Sequence, residues 1–196
     1  MIRGEDQMDR RQEVLEAATK SFSLFGYKAT TMDQVAKLAN VGKGTIYTFF
    51  ANKEELFHEI VFTMIHEMKA EKDAVISDQC SFQDNAHLVL MKMLEFRERH
   101  ALLAKLIAEE KDMQTPIVQA VLVKVEKEIL QYIAENIERA IAKGEIRQVD
   151  VELVAYLLFK AYMAFAVDWQ VTHEHALSEE KIVDVFRDTI FRSLIK

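Results

Sequence analysis

From Asp9 to Phe25 the apolar residues Val14, Leu15, Ala18, Phe22 and Phe25 recur at spacings of three and four, which makes one stripe of an amphipathic helix. Gly26 is expected to end it. Thr31 followed three residues later by Gln34 has the form of a capping box, in which hydroxyl and amide satisfy free N–H groups at a helix start. A short helix is therefore expected over 32–39, closed by Asn40, which tolerates the left-handed conformation. A second short helix, 44–50, follows within four residues, and that is helix–turn–helix spacing. Asn52 with Glu55 repeats the capping signal and opens a long helix carrying Leu56, Ile60, Met64 and Met68 on one face. Beyond it the pattern predicts helices over 82–98, 101–111, 115–142, 150–172 and 178–195. Pro116 suits the first turn of its helix, Gly144 the end of the same one, and Ser178 with Lys181 the start of the last. Residues 77–81, SDQCS, form a loop. No strand alternation, internal repeat or low-complexity tract interrupts this pattern, so the fold class is all-α.

Composition narrows the picture further. Half of the 196 residues are apolar and 29% are charged, enough to bury a core and to exclude a disordered chain. Five Gly and one Pro fall far below the average share of roughly 7% and 5%, too few for the turns of an all-β protein. One cysteine, Cys80, makes no intramolecular disulfide, and the opening MIRGEDQMDRR lacks the apolar core of a signal peptide. A cytoplasmic setting is the expectation. The longest apolar stretch, Leu153 to Val167, is interrupted by Lys160 and falls short of the roughly 20 residues that span a bilayer. It is expected as a buried helix of a soluble protein. The net charge of −7 argues against nucleic acid until it is divided along the chain. Residues 1–53 hold eight Lys/Arg against six Asp/Glu, and residues 54–196 hold 17 against 26. A mildly basic head precedes an acidic body, and phosphate is expected at the head.

In a helix–turn–helix the two short helices pack closely at a steep angle, which constrains the positions between Met32 and Phe49. Val35, Ala39, Val41, Ile46 and Phe49 are the expected interior, Ala36 is small where the second helix approaches, and Asn40 takes the turn. Gly42, Lys43, Gly44, Thr45, Tyr47 and Thr48 are left facing outward. A cation, two hydroxyls, a phenol and a glycine that admits close backbone approach suit DNA better than a merely solvated hairpin.

The segment TTMDQVAKLANVGKGTIYTFFANKEELF resembles the DNA-binding head of the tetracycline-repressor-like (TetR) transcriptional regulators. The preceding RRQEVLEAATKSFSLFGYKATT is similar to that family's first helix and the loop after it. Gly26, Thr31, Val35, Ala36, Val41, Gly44, Tyr47, Phe50, Lys53 and Leu56 fall in register with it. The resemblance implies a three-helix head, expected over 1–50, and a larger helical ligand-binding and dimerising body over 51–196. It implies phosphate contacts at Thr31, Tyr47 and Lys53, and base-edge contacts at Lys43, Gly44, Thr45 and Thr48. Phe49 departs from the pattern, which commonly has a Tyr or His there.

Other constellations have plainer readings. Glu55-x-x-His58 has the spacing of a di-iron helix, but no second copy accompanies it. His173 and His175 are neighbours that point apart on a helix. No phosphate-binding or nucleophile motif occurs, and no cofactor or metal is expected. Residues 151–169 and the last helix carry more apolar surface than one contact needs, so a four-helix interface across a two-fold axis is expected, with Phe165 or Phe186 self-contacting. Met93, Phe96, Tyr132, Tyr162, Phe165 and Trp169 are candidate linings of an adaptable apolar pocket. The expected function is a homodimeric repressor of an inverted-repeat operator, released by a hydrophobic small molecule. Two rivals are a ferritin-like metal-binding enzyme and a helical protein-interaction module.

Overall fold

The computed structural model describes residues 2–77, 79–99, 101–169 and 173–195, with side chains for residues 9–77, 79–95, 102–103, 105–169 and 173–195. Helix α1 spans Ile2–Ala29 and breaks at Gly26 (φ 82°, ψ 174°). Then follow α2 (Met32–Leu38), α3 (Lys43–Phe49), α4 (Lys53–Asp73), α5 (Phe82–Arg99), α6 (Ala101–Met113) and α7 (Pro116–Ala142). Helix α8 is regular over Val151–Met163 and continues as a π-helical turn over Ala164–Asp168. The last helix, α9, runs Glu179–Val185, widens to π over Phe186–Phe191 and ends with Arg192–Leu194. Among the described residues the β pairing is an isolated antiparallel bridge between Ile146 and Ile195.

The chain packs as two compact units, residues 1–66 with 100–123, and residues 67–99 with 124–196. Packing thus groups α6 with the head, a different partition from the functional division expected at residue 50. In the first unit Val14, Ala18 and Phe22 of α1 are fully enclosed, as are Val35, Ile46, Phe50, Leu56 and Phe57. Phe22 meets Phe57 edge-on and stacks on Tyr27. Phe25, expected on the buried stripe, is instead 54% exposed. The interior face of α1 runs through Val14, Ala17, Ala18, Ser21 and Phe22, and Phe25 lies off it in the last helical position before the break at Gly26.

Helix α6 packs along α1 and fixes the turn between α1 and α2. Its Glu109, 6% exposed, accepts hydrogen bonds from the backbone N–H groups of Tyr27 (2.6 Å) and Lys28 (3.0 Å) and from the Thr115 hydroxyl (3.0 Å). A side chain at Gly26 has no room: a Cβ there would lie 2.4 Å from Glu109 Oε2.

In the second unit Leu90 and Leu94 of α5 pack with Ala166 and with Ile182, Val183, Phe186 and Phe191 of α9. A neighbouring cluster joins Ile137 and Ala140 of α7 to Ile146, Ala155 and Leu194. Phe186, expected to self-contact across a dimer axis, is therefore an interior residue of its own chain, 2% exposed. The apolar side chains of α8 that remain outside are Leu153, Tyr156 and Leu157.

Gly26→Ala should lower the unfolding free energy by about 1–3 kcal/mol, because it imposes both a positive φ on a residue with a side chain and a clash with Glu109. Urea denaturation measures this, and an alanine variant as stable as the wild type would contradict it.

Candidate nucleic-acid interface and apolar cavity

The α2–α3 unit is built by local rules. Thr31 caps α2: its hydroxyl accepts from the Gln34 N–H (3.3 Å) while the Gln34 side chain accepts from the Thr31 N–H (2.9 Å). Asn40 turns the chain at φ 53°, and Gly42 caps α3. Val35, Ala36 and Ile46 face inward, so Gly42, Lys43, Gly44, Tyr47 and Thr48 stay exposed, with Thr45 half-buried. A Cβ at Gly44 would meet nothing within 4 Å, leaving the backbone open to close approach. The Thr48 hydroxyl donates to the Thr45 carbonyl (2.6 Å).

Lys43 pairs with Asp33 at 2.9 Å, and the hydrogen bond to that carboxylate raises the lysine pKa. The pair is exposed, so water screens it, but it places one carboxylate beside the cation of the face. Lys53 lies inward. Its ammonium donates to the carbonyls of Tyr27 (2.8 Å) and Thr30 (2.9 Å) and sits 4.2 Å over the Tyr27 ring. Partial burial lowers its pKa. The structure thus brings Lys43, Gly44, Tyr47 and Thr48 onto one face of α3, puts Thr31 at the start of α2, and gives Lys53 a positioning role in the α1–α2 turn.

The second unit holds a cavity of about 160 Å³ between α5, α7, α8 and α9. Three expected residues, Met93, Tyr132 and Tyr162, line it, and the Tyr162 hydroxyl donates to the Met93 carbonyl (3.1 Å). Two others lie elsewhere. Phe165 stands outside the lining, edge-on to Phe186 at 6.3 Å. Trp169 stacks on His173 at 3.6 Å and donates its indole N–H to the His175 carbonyl. The Phe96 side chain lies outside the described residues. Phe186 and Phe191, which the sequence reading did not place here, form part of the wall. Regular α-helical spacing turns residues i and i+5 well apart, but the π turn over Phe186–Phe191 brings the two rings to 5.7 Å. Such wide turns are frequent at functional sites.

One corner of the cavity is polar, formed by Tyr132, Asn136 and Arg139 of α7. Tyr132 is gripped by the last turn of α4. Its hydroxyl donates to Asp73 (2.6 Å), and the ammonium of Lys72 rests 3.8 Å from its ring centroid. Lys72 is 2% exposed. Desolvation lowers its pKa to about 8, and burial together with the Asp73 bond raises that of Tyr132.

The remaining motifs are absorbed by structure. The Glu55 carboxylate accepts from the Ala51 N–H (2.7 Å) at the start of α4, and His58 is flanked by Phe57 and Phe62. Among the described residues no group of three His, Cys, Asp or Glu side chains is arranged to hold a metal ion. No helix among them is long and apolar enough to cross a membrane.

A capped helix–turn–helix with an open α3 face, followed by a larger helical unit, defines the class: a helix–turn–helix transcriptional regulator. Residues 14–60 match the family model described as bacterial regulatory proteins, tetR family. Over 187 residues the chain is 48% identical to the HTH-type transcriptional regulator YhgD of Bacillus subtilis, covering 95% of this chain and 97% of that one. The chain belongs to the TetR family of transcriptional regulators. It is also 25% identical over 145 residues to the repressor AcnR of Corynebacterium glutamicum, covering 74% of this chain and 72% of that one. Its fold matches that of the fatty acid degradation regulator FadR of Bacillus halodurans with a TM-score of 0.75, at 16% identity, over 92% of this chain and 96% of that one.

The buried lysine carries a pH signature. Between about pH 8 and the ordinary amine value of 10.5, the unfolded chain holds a proton at Lys72 that the folded chain has released. Folding stability therefore rises with pH across this window through Lys72. Unfolding of wild type and Lys72→Met compared from pH 7 to 10.5 should show the wild type gaining on the variant above pH 8. A constant difference would exclude a depressed amine.

Proposed function

We propose that this regulator is a repressor that binds an inverted-repeat operator as a homodimer and is released by a hydrophobic small molecule held in the second unit. The observation that carries the DNA half is the exposed α3 face of Lys43, Gly44, Tyr47 and Thr48. Under this reading α3 enters the major groove. Lys43, Gly44, Thr45 and Thr48 meet base edges, while Thr31 and Tyr47 meet the phosphate backbone. Lys53 spends two of its three N–H groups on the Tyr27 and Thr30 carbonyls, leaving one for phosphate. Residues 1–50 then act as the head and 51–196 as the body. Two heads related by a two-fold axis call for half-sites about one helical turn apart, ~34–36 Å, or a multiple of it. Repression is supported by the likeness to AcnR, which is named a repressor.

The ligand half rests on the cavity and its apolar walls. Its lining of Met93, Tyr162, Phe186 and Phe191 suits an apolar or amphipathic effector, and the fold neighbour FadR is named a fatty acid degradation regulator. Helix α4 begins in the first unit and ends in the second, and its last two residues hold the cavity residue Tyr132. It is the element through which we read the coupling. Dimerisation is assigned to the outer face of α8, where Leu153, Tyr156 and Leu157 are each half exposed or more, since Phe186 is taken up inside.

Lys43→Ala should relax the preference at one base pair, at a cost of about 1–3 kcal/mol. Asp33→Asn should tighten binding to every duplex alike, since it removes a carboxylate from the phosphate-facing side. Titrations of a selected operator and a random duplex across a salt series read both effects. Equal affinity of the wild type for the two duplexes refutes sequence-specific binding.

Leu157→Asp should convert a dimer to folded monomers, because burying a leucine contributes roughly 1.5–3 kcal/mol per chain and a carboxylate reverses this. Sedimentation at micromolar concentration decides it: a variant that stays dimeric moves the interface elsewhere.

A further inference from the structure

The cavity's charges point to the sign of its ligand. Glu95 of α5 and Asp168 of α8 are absent from the lining, and Glu95 is paired with Lys92 at 2.7 Å. The charged residues that do line it are Arg139, Lys143 and Glu145. Lys143 and Glu145, just past the end of α7, carry opposite charges. Arg139 remains at the polar corner, where its guanidinium donates to the Asn136 side-chain oxygen (2.9 Å). Behind the same corner lies Lys72, buried to 2% exposure with its ammonium on the Tyr132 ring. Among the described residues no carboxylate closes on Lys72 as an ion pair. Its neighbour Asp73 is engaged by the Tyr132 hydroxyl.

The Lys72 ammonium has the Tyr132 ring beside it and the Asp73 carboxylate as its nearest attractive charge, but no direct ion pair. An aromatic quadrupole attracts a cation but does not neutralise it, and a buried charge is stable when paired and hydrogen-bonded. A carboxylate at the corner would supply the missing charge. A cation there would add to the positive charge that Lys69 already sets against Lys72.

We propose that the corner of Tyr132, Asn136 and Arg139 is a head-group subsite that takes an amphiphile bearing a single carboxylate. Its charge is set against Lys72 and Arg139, with its chain on Val89, Leu90, Met93 and Phe186. This rests on the reading of the cavity as the effector site. The Asn136 amide and the Arg139 guanidinium are the hydrogen-bond donors at the corner. Lys72 acts from behind Tyr132 as a positioning charge.

The test is calorimetric titration of the full-length protein with dodecanoate, methyl dodecanoate and dodecyltrimethylammonium, each below its micellar concentration. Dodecanoate should bind at least about tenfold more tightly than the ester, as a charge-assisted contact requires, and the ammonium should bind most weakly. Lys72→Met and Arg139→Gln should each narrow the gap between carboxylate and ester about tenfold, with circular dichroism confirming the fold. Leu90→Trp, which fills the cavity, should abolish binding of all three. Ester and carboxylate binding alike, the ammonium binding tightest, or a gap unchanged in both charge variants overturns the head-group proposal while leaving the cavity reading in place. Binding that survives Leu90→Trp, or none by any of the three, overturns the cavity reading and the head-group proposal with it.

Discussion

The turn between α1 and α2 depends on two charged side chains that divide its backbone between them. Glu109 accepts from the N–H groups of Tyr27 and Lys28, and Lys53 donates to the carbonyls of Tyr27 and Thr30. Backbone groups in so sharp a turn have no helical partners, and leaving them buried and unpaired is costly. The charged partners settle the account in a way that neutral groups do only half as strongly. They also dictate geometry. The carboxylate must come so close to the chain that only glycine fits at position 26, and the tyrosine ring closes the arrangement by lying under the Lys53 ammonium and against Phe57. Everything in α2 and α3 follows this turn in sequence, so the direction in which the α3 face points is inherited from it.

That dependence explains which parts of the head were legible in the sequence. The caps at Thr31–Gln34 and Asn52–Glu55, the left-handed Asn40 and the inward set of Val35, Ala36 and Ile46 are all decided by residues a few positions apart. Each appears in the structure as the spacing predicts, whereas Val41 and Phe49, expected inside with them, are only half-buried. Glu109 does not announce itself in this way. It lies 81 and 82 residues from the amides it binds, and on α6 it is one acidic residue among several. The role of Lys53 was likewise hidden, because a lysine next to a helix N-terminus reads equally well as a phosphate contact when the carbonyls of a distant turn are out of view.

In the body the helices were legible and the cavity only in part. Periodicity at 3.6 residues identifies the segments, but it assumes that the period holds throughout each helix. The π turns at Ala164–Asp168 and Phe186–Phe191 break that assumption. Past such a turn every side chain is rotated from its expected face, so Phe186 and Phe191 arrive together at the cavity wall while Phe165 and Trp169 sit away from it. On α8 large apolar side chains do remain outside, at Leu153, Tyr156 and Leu157. The assignment of Phe186 to an interface failed because composition counts apolar residues without saying which of them the chain's own core consumes.

The charged clusters of the two units are built differently. In the first unit the charged groups at the turn are matched by backbone partners, which favours a single arrangement of α2 and α3. In the second, a lysine is buried against a tyrosine without an ion-pair partner, and two helices carry widened turns. Under the reading proposed above, an anionic group brought to the Tyr132 corner offsets part of the cost of burying Lys72. A ligand shifts a conformational equilibrium only by its differential affinity for the two states, about 5.5 kcal/mol for a swing from 1:99 to 99:1. In that reading the charge of Lys72 contributes to the difference when the ligand is an anion. Lys72 lies on the last turn of α4, a helix that starts four residues after α3 ends, and in that reading α4 carries the effect along the chain toward α3.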